Sequence, residues 1–114
     1  MNISIEQRES VVILTIKTEK LDSENAPQVK AKVLIESQPD VDAMIIDLSN
    51  VRMIDSSGLG VLLLAHRQMN EYNAPVILVG ISEEVYKLME ISHIHDIFDV
   101  YDTVEEAIAD LKPE

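Results

Sequence analysis

The strongest constraint on this chain is a set of short, almost wholly aliphatic runs: SVVILTIK (Ser10–Lys17), VDAMIIDLS (Val41–Ser49) and VILVG (Val76–Gly80). Their length and β-branched content mark each as a buried strand. The stretches between them carry helical spacing. Ala26, Val29 and Val33 recur turn by turn. Asp22, Ser23 and Asn25 offer N-caps, and Pro27 falls in a first turn, where its missing N–H costs little, so a helix is expected to about Ser37 before QPD stops it. Leu59, Leu62, Leu63, His66 and Met69 or Asn70 trace the face of a second helix opening at about Ser57. Ser82 caps a short third helix carrying Val85, Leu88 and Met89. Thr103 and Glu106 form a capping box ahead of Ala107, Ile108 and Leu111. NISIEQ is expected to pair as an edge strand with the first run, and IFDVY (Ile97–Tyr101) to add a last short strand. Buried strands alternating with helices of this length call for an α/β fold with a mostly parallel sheet and crossover helices.

The chain has 114 residues and no repeat, linker or low-complexity segment, so a single domain over 1–114 is expected, with only KPE at the C-terminus frayed. Aromatic residues are 4% and Trp is absent, which makes the core aliphatic. Met1–Ser4 is not a basic leader and no long apolar stretch follows it, so neither a signal peptide nor a membrane span is expected. The absence of cysteine excludes disulfides, thiolate metal sites and cysteine nucleophiles, and fits a cytoplasmic protein. A formal net charge of −12 argues against nucleic acid or an anionic membrane as direct ligand. It is compatible with a basic partner surface, and taken alone it reads as solubility.

One stretch stands apart. MIDSSGLG (Met53–Gly60) follows a buried strand and opens a helix, with an acid, two hydroxyls and two glycines together. Ser56 or Ser57 then lies at a helix N-terminus beyond the carboxyl end of a central strand, where open α/β sheets meet ligands and where unpaired N–H groups favour an anion. Gly58 and Gly60 each weaken the helix by about 1 kcal/mol relative to alanine. Close approach by another molecule, or by a neighbouring backbone, would account for them. A purely structural reading takes Asp55 and Ser56 as caps and the glycines as a tight turn. A serine nucleophile fits less well: no G-x-S-x-G flanks these serines, His66 is over two turns away, and no acid stands out to orient a base at His93 or His95. A phosphate cradle lacks the P-loop lysine and its longer glycine loop. A phosphate acceptor fits better. An exposed serine here would gain a charge of about −1.5 to −2 that the helix dipole tolerates, with Asp55 already negative beside it, changing the surface and not the fold.

The remaining candidates have plainer explanations. The His93–x–His95 pair is metal-like, but without a clear third ligand it reads as packing, and no metal or other cofactor is expected. Glu83, Glu84, Glu105 and Glu106 fall in first turns, where they complement helix dipoles. Met44, Met53, Met69 and Met89 are expected to fill the core, with Met53 the one to watch because it precedes the serines. Tyr72, Tyr86 and Tyr101 are not interleaved with basic residues, which leaves nucleic-acid stacking without support.

MIDSSGLGVLLLAHRQM (Met53–Met69), after AMIIDLSNV (Ala43–Val51), resembles the STAS domains of bacterial anti-sigma factor antagonists. KLDSENAPQVKAKV (Lys20–Val33) resembles the start of that family's first helix, and the segment from Ala74 to Ile108 its final strand–helix–strand–helix. Nearly the whole chain is covered. Lys20 stands where many members carry part of a glycine–acid pair, and His93 where members often have a small residue. The resemblance implies a small mixed, mostly parallel sheet of four to five strands with about four helices, the helices on one side. It implies a non-enzymatic partner switch. The unphosphorylated protein binds an anti-sigma factor that is itself a serine kinase, and phosphorylation of the serine after the motif's aspartate inactivates it. Carried over, the phospho-acceptor is Ser56. Asp55, Ser57, Gly58 and Leu59 lie in the docking surface, with Asp22 on the adjacent loop. A serine phosphatase is a further implied partner, and ATP and magnesium belong to the kinase. The alternative is a non-switching STAS scaffold or transporter-associated subunit in which Ser56 is only a cap.

Overall fold

The computed structural model describes residues 3–111, so Asn2 and the KPE tail lie outside the described residues. Strand β1 (Ile3–Arg8) turns back through Glu9, at φ 55°, into β2 (Val11–Ile16), an antiparallel pair. A short strand β3 (Lys20–Leu21) leads to helix α1 (Ala26–Glu36). Strand β4 (Ala43–Asp47), a short β5 (Met53–Ile54) and helix α2 (Ser56–Asn70) follow. Then come β6 (Val76–Val79), α3 (Glu83–Ile91), β7 (Asp99–Tyr101) and α4 (Val104–Leu111). The main sheet has the order β1-β2-β4-β6-β7, parallel throughout except for β1. This is the mixed, mostly parallel sheet that the aliphatic runs predict, in one small α/β domain with five strands in the main sheet and four helices.

Strand parity divides the core in two. Val12, Leu14 and Ile16 of β2, with Met44 and Ile46 of β4 and Val76 and Leu78 of β6, point to one face, where α1, α2 and α3 bury their apolar stripes. The alternate residues Ile13, Ile45, Ile77 and Val79 point to the other, where Ala107, Val104, Ile108 and Leu111 of α4 cover them. The helices are therefore not all on one side, as the resemblance implies. A central strand buried on both faces needs a cover on each, and α4 supplies the second.

Three local expectations change. The buried stripe of α2 is Gly58, Leu59, Val61, Leu62, Ala65 and Met69, which leaves Leu63 38% exposed and Asn70 on the surface. Met44, Met69 and Met89 are fully buried, whereas Met53 is 61% exposed. Gly80 ends β6 and is not part of it. Its φ of +69° and a Cβ position 2.7 Å from the Ser49 side chain explain why glycine is required there.

Candidate functional site

The site grows from the carboxyl end of β4. The chain leaves the sheet at Asp47, whose Oδ1 accepts from the Ser49 amide at 3.0 Å, and folds back so that Val51 N donates to Leu48 O at 2.9 Å. Val51 is buried and holds the turn down. The chain then pairs beside β3 in a parallel ladder, Lys20 opposite Met53 and Leu21 opposite Ile54. Pairs this short leave no periodicity in a sequence, so the ladder is legible only in the structure.

The ladder sets the helix start. Asp55 N donates to Leu21 O at 3.3 Å, which fixes Asp55 in extended geometry (φ −109°, ψ −170°). From there its Oδ1 accepts from Gly58 N at 3.0 Å, while its carbonyl accepts the first helical bond from Leu59 N at 2.9 Å. Asp55 is thus the N-cap, and α2 begins at Ser56, one residue earlier than expected. No acid falls in the first turn itself, so within the helix's own start the positive end is met by the capping carboxylate of Asp55.

Gly58 lies against the floor of the site. A Cβ on it would stand 2.4 Å from Leu21 O and 2.4 Å from Ile54 Cγ1. Of the two causes open for the glycines, Gly58 therefore has the neighbouring backbone. Gly60 has no such neighbour: a Cβ there meets nothing within 4 Å.

The Asp22 loop is built by Asn25, a role the sequence does not announce. Asn25 occupies the N-cap position of α1, but its side chain makes no cap bond. It turns back instead. Nδ2 donates to Lys20 O at 2.7 Å and to Thr18 Oγ1 at 3.1 Å, and Oδ1 accepts from Asp22 N at 2.9 Å. Asp22 Oδ1 in turn accepts from Glu24 N at 3.0 Å. Leu21 pairs with Ile54, so Asp22 and Asp55 each stand one residue beyond the ladder, at the same end of it.

The six residues singled out from the motif and its neighbouring loop are thus gathered by one ladder and one helix start, though not in equivalent positions. Asp55 and Ser56 are exposed, and Asp22 and Ser57 are half-buried. Gly58 and Leu59 are buried, Leu59 at 8% exposure, so they shape the surface from beneath and offer it no side chain. Exposed Met53 and Arg52 extend the surface on the β5 side, above a shallow hollow lined by Ile54, Val85 and Leu88.

Two of the three histidines pack elsewhere, and His93 is exposed after α3 at φ 58°. His66 packs edge-on against Phe98, with ring centroids 5.9 Å apart. His95 places Nε2 3.2 Å from Asp96 Oδ1 and packs its ring edge-on against Tyr86. Neither contact includes Ser56. Among the described residues, no group of three or more His, Cys, Asp or Glu side chains is arranged to hold a metal ion, and no helix is long and apolar enough to cross a membrane.

Comparison with known proteins gives the family and the fold. Residues 2–107 match the STAS domain family model. The anti-sigma-B factor antagonist of Listeria monocytogenes is 31% identical over 102 residues, covering 88% of this chain and 90% of that one. A crystal structure of a candidate anti-sigma factor antagonist from Thermotoga maritima superposes with a TM-score of 0.88 at 28% identity, covering 97% of this chain and 95% of the other. At 24% identity the fold is also that of the anti-sigma factor antagonist SpoIIAA. Its unphosphorylated form gives a TM-score of 0.83, covering 96% of this chain and 95% of that one, and its phosphorylated form gives 0.77, covering 96% and 99%.

Proposed function

The chain belongs to the STAS domain family of anti-sigma factor antagonists, regulatory proteins and not catalysts, and from that premise we propose that it is a partner switch operated by phosphate on Ser56. Without phosphate, the Asp22 loop and the start of α2 dock on an anti-sigma factor that is also a serine kinase, and the sigma factor held by that kinase is released. The kinase brings ATP and magnesium and transfers a phosphoryl group to Ser56 Oγ. The product no longer docks, and a serine phosphatase resets it in the cytoplasm.

The observation that carries this reading is the setting of Ser56. It is an exposed hydroxyl in the first turn of α2, beside the capping carboxylate of Asp55, on a surface shaped from below by Gly58 and Leu59. Phosphate there meets the positive end of the helix, so the fold tolerates it, while the docking face gains about two negative charges and three acceptor oxygens. That the SpoIIAA fold exists in both phosphorylation states supports a switch that works at the surface. Each 1.4 kcal/mol lost from the contact weakens binding about tenfold, so losing about 3–4 kcal/mol is enough to turn the switch off.

The test compares Ser56→Ala and Ser56→Asp as baits for the purified serine-kinase anti-sigma factor of the source organism. Ser56→Ala is expected to bind constitutively and Ser56→Asp to be impaired. Equal affinity for the two variants would overturn the proposal.

A further inference from the structure

We infer that the contact with the partner kinase continues past the first turn of α2, along the outer face of the helix, over bare backbone at Gly60 to the exposed side chain of Leu63. This rests on the partner-switch reading and adds to it a surface outside the DSSGL stretch.

The inference comes from the contrast between two glycines in one helix. Gly58 is accounted for inside the molecule, because Leu21 O and Ile54 leave no room for a methyl group. Gly60 is not. It lies within α2 with no positive φ, and an added Cβ would meet no atom within 4 Å. Alanine would fit and would strengthen the helix in the free protein. The fold alone therefore gives no reason for glycine at this position. A partner whose atoms come down onto the helix backbone does give one.

Helix phase joins Gly60 and Leu63 to the proposed docking site. Residues three, four and seven apart share a face, so Ser56, Gly60 and Leu63 lie on one stripe, opposite the buried stripe through Leu62, Ala65 and Met69. Leu63 is 38% exposed on that stripe. Whatever docks over Ser56 and lies along α2 meets Gly60 after one turn and Leu63 after two. The occupant is the kinase. Its own backbone or a flat side chain packs on Gly60, an apolar group covers Leu63, and basic groups face Asp22 and Asp55 at the head of the helix.

The experiment pairs stability with affinity in the full chain. Gly60→Ala and Leu63→Gln are measured beside wild type and Ser56→Asp, by thermal unfolding and by titration with the purified serine-kinase anti-sigma factor. Gly60→Ala is expected to melt about 3 °C higher than wild type and to bind the kinase at least about tenfold more weakly, by the cost of about 1.4 kcal/mol that a tenfold change represents. Leu63→Gln is expected to keep the wild-type melting point and to lose affinity as well. If Gly60→Ala binds like wild type while Ser56→Asp does not, the switch stands and the extended contact falls. A lowered melting point for Gly60→Ala overturns the inference too, because the glycine is then structural. Conversion of a wild-type dimer to a monomer by Gly60→Ala, seen by sedimentation, would also overturn it by making a second copy the occupant. If neither Ser56→Asp nor Gly60→Ala changes binding, the partner-switch reading fails along with it.

Discussion

At Gly58 a single hydrogen stands where a methyl group would lie 2.4 Å from a carbonyl oxygen and 2.4 Å from a core side chain. Both obstacles, Leu21 O and Ile54, belong to the ladder that sets Asp22 and Asp55 at one end. Gly58→Ala must therefore push β3 and β5 apart. The helix gains about 1 kcal/mol from alanine, but overpacking a tight contact costs about 1–3 kcal/mol or more, with backbone as the obstacle. The expected result is a net loss of stability in denaturant titration, together with loss of kinase docking. A wild-type midpoint would show that the site's floor yields. The DSSGLG motif made this place legible as a helix start with an exposed serine. The separate reasons for its two glycines were not legible, because the atoms that confine Gly58 include a carbonyl far away in the chain, and a sequence does not show where a backbone oxygen points.

Among the elements, the strands were the easiest to read and the small ladder the hardest. Runs such as Met44–Ile46, buried on both faces, declare a central strand. Because they are apolar throughout, they do not say which helix covers which face, and the position of α4 came only from the structure. The β3–β5 ladder has two residues in each strand, too few for a period, and the side chain that holds it came from a residue read as a helix cap. Asn25→Ala removes the three side-chain bonds from Asn25 to Thr18, Lys20 and Asp22, and leaves the bond from the Thr18 hydroxyl to Lys20 O. Neutral hydrogen bonds contribute about 0.5–1.5 kcal/mol each, so a loss of about 1.5–4.5 kcal/mol is expected. The amides of Asp22 and Asp55 should exchange with solvent faster than in wild type. Unchanged exchange at both would show that the loop holds without Asn25.

Helix α4 offers a separate test by pH. The Tyr101 hydroxyl on β7 donates to the Asp110 carboxylate on α4. That bond, with burial and the negative charges of Asp110 and Asp99 behind it, pushes the Tyr101 phenol up to about 12. A phenol raised in the folded state favours folding while protonated. The contribution is therefore fully present below the ordinary value of about 10 and is lost as pH rises through about 12. With Tyr72 and Tyr86 replaced by phenylalanine, phenolate absorbance should report a midpoint near the raised value, and Asp110→Asn should lower it. A midpoint that ignores Asp110 would sever this link between β7 and α4.

For the whole molecule, a five-stranded sheet is covered by α4 on one face and by α1, α2 and α3 on the other, and in the proposed switch the change occurs at the surface of that base. The protein carries a formal net charge of −12, and Asp22 and Asp55 stand at the same end of the β3–β5 ladder, Asp55 directly before Ser56, so the proposed partner is expected to present basic groups to this end. Phosphate adds charge of the sign already present. If that partner holds its basic groups in fixed positions around the hydroxyl, the added bulk and the charge-bearing oxygens at the centre of the contact cost more than they gain. The most direct measurement follows from this. The purified chain is incubated with the proposed serine-kinase partner and ATP, the modified residue is mapped by mass spectrometry, and the kinase's affinity is then measured for the unmodified and the fully modified protein. The account predicts one phosphate, on Ser56, no incorporation in Ser56→Ala, and an affinity lower by about a hundredfold or more, a loss of about 3 kcal/mol. A phosphate on Ser57 or elsewhere, or equal affinity for the two forms, would contradict it.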